Sequence, residues 1–201
     1  MSPEAAGNKT KDFSSFIFAN RRFISSGALV ICLILKWVLG GRSTLPLWGI
    51  GAGVVVLGLL FRVYSAAYLC GRHIVTKIEA EQLCVSGPFA HVRNPLYIGN
   101  FIVGVGCVLA FNEWYGWVAF FLEFGLMYSV IIPYEERFLS GKFGRDYDDY
   151  KAAASRFFPR LKAYPKCTET TPLFGKAAWG EKFHALVLAA AFVLLYFLFV
   201  R

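Results

Sequence analysis

No two cysteines in this sequence are spaced as CxxC, and Cys32, Cys70, Cys84, Cys107 and Cys167 match no metal-ligand pattern. Neither a disulfide framework nor a cysteine zinc site is therefore expected. Cys32 and Cys107 fall in apolar stretches, where a thiol packs as a small hydrophobe. His73, His91 and His184 are too scattered to hold zinc together. No long linker splits the 201 residues, which suit one domain. A cleavable leader is not expected either, because Met1–Asn20 is polar and the first apolar run follows without a cleavage-like site. Polar surface is the scarcest item of all. Hydrophobic residues make up 57% of the chain and aromatic ones 17%, with a mean hydropathy of +0.51. Exposed to water, so much apolar area would drive association. Lipid as solvent removes the difficulty.

Apolar stretches of membrane-crossing length are present, given a hydrocarbon core that takes roughly 20 helical residues. Five spans are predicted, at Phe23–Gly40, Leu45–Leu69, Leu96–Phe111, Trp114–Pro133 and Phe183–Val200. The third is short. The expected fold is an all-α membrane bundle. Residues 1–22 form a cytosolic tail, residues 23–182 a core with cytosolic segments, and residues 183–201 a last transmembrane helix. The formal net charge of +8 invites a nucleic-acid reading, but the placement of the charges opposes it. With the N-terminus in the cytoplasm, all but Lys36, Arg42 and Arg201 of the 21 Lys and Arg fall on one side. That is the asymmetry of the positive-inside rule. The basic residues orient the chain and offer contacts to anionic headgroups; a nucleic-acid partner is not expected.

Asn112–Glu113 is so short a link that spans three and four must be antiparallel neighbours. Gly99, Gly104 and Gly106 thin the third helix for close packing or for a ligand. Two polar regions, 71–97 and 134–182, share a face. In the second, Tyr147 and Tyr150, then Arg156 and Arg160, repeat at helical spacing among aromatic residues. This segment is expected to fold against the membrane surface rather than to hang free.

Within Gly87-Pro88-Phe89-Ala90-His91-Val92-Arg93-Asn94-Pro95-Leu96-Tyr97-Ile98-Gly99, Gly-Pro marks a turn, and Asn94-Pro95 reads as N-cap and first helical residue. A helix start presents unpaired N–H groups to an anion, and Arg93 beside it could grip a carboxylate in two places. The alternative is a capped helix whose arginine meets lipid phosphate. Tyr134-Glu135-Glu136 places two carboxylates at the basic end of a span. They either pair with nearby cations or bind a polar or cationic ligand at headgroup depth.

From Arg62 to Pro159 the chain resembles the catalytic half of the isoprenylcysteine carboxyl methyltransferase and phospholipid methyltransferase superfamily. The residues carrying the resemblance are Gly87, Pro88, Phe89, Val92, Arg93, Pro95, Tyr97 and Gly99, then a hairpin, then Glu135, Glu136, Phe143, Gly144, Tyr147, Tyr150 and Pro159. Asn94 stands where the isoprenylcysteine enzymes usually have histidine and is closer to the phosphatidylethanolamine methyltransferases. Glu79-Ala80-Glu81-Gln82 lacks the histidine that many relatives have before the Gly-Pro turn.

The resemblance implies S-adenosylmethionine as cofactor. It would be held by Phe89, Val92, Arg93, Asn94, Pro95, Tyr97 and Gly99 together with Glu135 and Glu136. Arg156, Tyr147 and Tyr150 would hold the head of a lipid or prenylated acceptor entering from the bilayer. Displacement at a sulfonium needs alignment and exclusion of water, not a nucleophilic side chain or a metal. Carboxyl O-methylation of an isoprenylcysteine is the leading reading, with N-methylation of an amino-headgroup phospholipid as the alternative. A sterol-type reductase using a nicotinamide cofactor and a non-catalytic membrane module share the outline. Glu123, ionisable and mid-span, is expected to face protein or water, either lining an acceptor tunnel or bonding Lys36 or a helix neighbour.

Overall fold

The computed structural model describes residues 3–69, 82–167 and 170–200, and everything regular among them is helical. In chain order the elements are α1 (Pro3–Val38), α2 (Leu45–Ala67), a 3-10 turn at Gly87–Ala90, α3 (Pro95–Phe111), α4 (Trp114–Phe143), α5 (Arg145–Ala153) and α6 (Phe174–Phe199). Among the described residues, α2, α4 and α6 are long and apolar enough to cross a membrane. Their outer faces expose large apolar side chains such as Leu57, Leu126, Phe183 and Phe197. Such a surface requires lipid, and this is a membrane protein.

The five expected spans are therefore not all equal. α3 is apolar but 17 residues long. α1 carries the expected first span as far as Val38 and runs from Phe18, whose ring meets Tyr134, to the buried Lys36 at Glu113. The expected boundary between tail and core at residues 22 and 23 lies inside α1, and that between 182 and 183 lies inside α6. Lys176 and Lys182, expected on a connection, are thus helical, as is Arg62 within α2. Pro133 does not end α4, which continues to Phe143 and carries Glu135 and Glu136 on its extension. A proline removes one helical hydrogen bond, and in a packed membrane bundle neighbours compensate that loss. Arg72, Lys77, Cys70, His73 and the stretch 79–81 lie outside the described residues.

α1 lies along α4, while α2 packs most extensively on α3 and then on α6. α1 and α2, consecutive in the chain, are therefore not each other's main partners. Glycine makes the α2–α3 seam. A Cβ at Gly106 would lie 2.7 Å from the Gly51 carbonyl oxygen and 2.7 Å from the Val55 nitrogen. Packing accounts for Gly99 and Gly106 on this seam, and for Gly104 against the Phe120 ring. Asn112 turns the chain between α3 and α4 with a left-handed φ of 57°. At this end Lys36, wholly buried, donates to the Phe111 carbonyl (2.6 Å) and to Glu113 (3.0 Å). The Phe199 carbonyl accepts from the Ser43 N–H at 3.0 Å.

Candidate functional site

At the opposite end of the bundle, the two motif segments meet as one cap. The chain after α5 runs beside residues 90–93. Arg93 N–H donates to the Ser155 carbonyl (2.9 Å), Arg160 N–H to His91 (3.0 Å) and Tyr164 N–H to Ala90 (2.8 Å). α5 ends at Ala153 because Ala154 turns extended, at φ −102° and ψ 136°. The expected helical pairing of Arg156 with Arg160 is thereby corrected: both lie beyond the helix, in the segment that docks on the first motif. α5 does present one ordered face. Tyr147 and Tyr150 pack with Val85, Ala154 and Tyr164, and the Tyr150 hydroxyl donates to the Phe89 carbonyl at 2.6 Å. Burial, reinforced by neighbouring Glu136 at Tyr147, pushes both phenols above their usual range, so they remain protonated. At 1% and 2% exposed, these tyrosines form the core of the cap. The structure thus places both tyrosines expected to hold an acceptor head in the buried core of the cap.

A buried carboxylate organises the rest. Glu136, on the extension of α4, accepts from Arg93 Nε (3.1 Å) and Nη2 (2.9 Å), and from Arg156 Nη2 (2.6 Å). Arg93 Nη1 donates to the carbonyls of Lys151 (2.7 Å) and Ala154 (2.6 Å). Arg93 thus ties the end of α5 to α4, and its fork is filled by protein acceptors. The Arg93 fork, expected to grip a ligand carboxylate, is turned onto Glu136. Arg156 differs. Its side chain is 51% exposed, and its hydrogen bonds to Glu136 hold its guanidinium above even its ordinary value. Asn94 occupies the N-cap position of α3 with Pro95 following, as expected, but makes no side-chain cap. Its amide instead donates to the Arg156 carbonyl at 3.0 Å.

The remaining expected residues divide by burial. Phe89, Val92, Pro95 and Gly99 are buried in the frame, whereas Tyr97 and Glu135 are half-buried beside it. The Tyr97 ring stands edge-on to Tyr128, with centroids 4.6 Å apart. The cap thus offers a half-exposed guanidinium, an amide, a carboxylate and aromatic rings around the α3 start. S-adenosylmethionine carries a carboxylate, an ammonium, ribose hydroxyls and adenine, and this donor set fits it. Glu123 does not bond Lys36, which has Glu113. It lines an apolar cavity of about 230 Å³ with Cys32, Cys107, Phe120, Leu188 and Phe192. Among the described residues no group of three or more His, Cys, Asp or Glu is placed to hold a metal ion.

Sequence reading missed a second polar cluster just under the cap. Arg62 of α2 makes two hydrogen bonds to Glu181 of α6 (3.1 and 2.7 Å) and a third to Asn100 Oδ1 of α3. Asn100 Nδ2 donates to the Tyr128 hydroxyl of α4 at 2.9 Å. The available signal was an arginine and a glutamate within apolar helices, each of which needs a partner there.

A helical membrane bundle capped by these two motif segments defines the class of protein, and the comparisons give the family. The family model described as phospholipid methyltransferase matches residues 47–146. The nickel-cobalt-cadmium resistance protein NccN of Alcaligenes xylosoxydans xylosoxydans is 32% identical over 156 residues, covering 73% of this chain and 69% of the relative. The cobalt-zinc-cadmium resistance protein CzcN of Cupriavidus metallidurans is 30% identical over 173 residues, covering 82% and 75%. The protein-S-isoprenylcysteine O-methyltransferase of Dictyostelium discoideum is 28% identical over 148 residues, covering 67% and 60%. No solved structure matches. The chain belongs to the isoprenylcysteine carboxyl methyltransferase and phospholipid methyltransferase superfamily.

Proposed function

We propose that this protein transfers a methyl group from S-adenosylmethionine to a lipid-like acceptor, with the carboxylate of an isoprenylcysteine as the leading candidate. The meeting of the Arg93–Tyr97 stretch with the Glu135–Glu136 end of α4 in one cap carries the reading. Arg156, Asn94, Tyr97 and Glu135 line the cofactor position. Arg93 and Glu136 form the frame that holds them, with Phe89, Val92, Pro95 and Gly99 beneath. The cofactor supplies an electrophilic methyl on a good leaving group. The protein aligns the acceptor and keeps water out. Arg156 suits a carboxylate, whether that of the cofactor or of the acceptor. The names NccN and CzcN specify a resistance, not a reaction.

The cap is assigned to the cytosolic side, where the exposed Lys142, Arg145, Lys151 and Lys166 would meet anionic headgroups. The test uses the purified full chain in lipid nanodiscs, titrated calorimetrically with S-adenosylhomocysteine and with NADPH. It is then assayed for methyl transfer to N-acetyl-S-farnesylcysteine and to phosphatidylethanolamine. Saturable binding of the homocysteine and methylation of the prenylated carboxylate are expected. Methylation of phosphatidylethanolamine alone would move the acceptor to the amine class. Binding of NADPH without the homocysteine would overturn the methyltransferase reading.

A further inference from the structure

α6 lies outside the residues matched by the family model, which end at 146. Its start nevertheless reaches the candidate site through side chains. Glu181 grips Arg62 in two places, with both side chains largely buried, at 12% and 13% exposed. His184, one turn on, stands 3.4 Å from the same carboxylate. Arg62 has only donors, so it fixes the Asn100 amide with its oxygen toward the guanidinium. The amide nitrogen then has to point the other way, toward the Tyr128 hydroxyl. The Tyr128 ring in turn stands against Tyr97. Asn100 follows Asn94 by six residues on α3, which places this chain of contacts about 9 Å beneath the cap.

We propose that Glu181 is a positioning residue for the methyl-transfer site, acting from α6 through Arg62, Asn100 and Tyr128 on Tyr97. The proposal rests on the reading of that site given above. Glu181 touches no reacting atom. Its carboxylate determines where the guanidinium sits, the guanidinium determines which way the Asn100 amide faces, and the amide holds the Tyr128 ring that flanks Tyr97. Without Glu181, Arg62 keeps its charge inside the bundle with Asn100 alone, and such a group reorients toward water or headgroups. The amide is then released, and the two rings lose their fixed relation.

The test uses the full chain in nanodiscs with 3-fluorotyrosine placed at position 128. Its fluorine resonance is read without any ligand, and turnover is measured separately. Glu181→Gln should shift or broaden the resonance and lower kcat by roughly ten- to a hundredfold, the cost of a misplacement of about 1 Å. Glu181→Asp should recover part of both. The double variant Arg62→Met, Glu181→Met keeps the packing without an orphaned charge, so it carries the test if Glu181→Gln does not fold. It should still show an altered resonance and low kcat. A wild-type resonance and wild-type kcat in either variant would overturn the proposal, leaving the pair as a tie between helices. If the wild-type protein methylates none of the offered acceptors while Glu181→Gln still moves the resonance, the reading of the reaction falls and the linkage to Tyr128 stands.

Discussion

Each end of this bundle buries a charge cluster, and the two are built differently. At the far end one ammonium, Lys36, faces one carboxylate, Glu113, and a helix-end carbonyl, with the Phe111 and Phe199 rings 4.9 and 5.5 Å from the nitrogen. At the cap two guanidinium groups share one buried carboxylate, Glu136, with Glu135 half-buried beside it. The far cluster is closed and neutral. The cap cluster is half-open, with the Arg156 guanidinium reaching solvent. Burial of ion pairs is thus common to both ends; an exposed guanidinium distinguishes the cap.

The sharpest way to break this contrast is Glu136→Gln. It leaves Arg93 buried with its charge uncompensated and should cost about 3–5 kcal/mol, together with loss of S-adenosylhomocysteine affinity. Denaturant titration in detergent and calorimetry read the two effects. Lys36→Met should cost less, about 1–3 kcal/mol, because Glu113 is 20% exposed and can turn to solvent. S-adenosylhomocysteine affinity should be unchanged in it; a fall comparable to that of Glu136→Gln would erase the distinction between the ends. Tyr150→Phe removes the hydroxyl's bonds to the Phe89 and Val92 carbonyls (2.6 and 3.5 Å) and should cost about 1 kcal/mol, with turnover retained, since the ring is core. A large loss of kcat at unchanged stability would return Tyr150 to the reacting groups. Lys166→Ala breaks an exposed pair with Asp149, and neither stability nor turnover should change measurably.

Much of this arrangement was legible in the sequence where a local rule fixed it. Asn94-Pro95 announced the start of α3, and Asn112-Glu113 its turn. The alternation of aromatic residues announced a folded second segment. The pairing of Arg93 with Glu136 was not legible, because adjacent glutamates look alike until the rotation of α4 buries one and leaves the other half-exposed. The end of α5 was missed because nothing in Ala152-Ala153-Ala154 forbids another turn. What stops it is tertiary: Arg93 caps the Lys151 carbonyl, and Ser155 pairs with Arg93. Arg62 falls inside the expected span Leu45–Leu69 yet counts with the charges of the basic side, and nothing local shows what compensates it. Only the partner on α6, more than a hundred residues on, shows why it can sit inside.

The clasp between Phe199 and Ser43 has a bearing on biogenesis. The Lys36 ammonium is enclosed by a ring and a backbone segment translated after every other element of the bundle. Until the ribosome has delivered α6, the α1–α2 corner retains an incompletely sheltered cation that can reach headgroups. Closure of this corner therefore has to wait for α6.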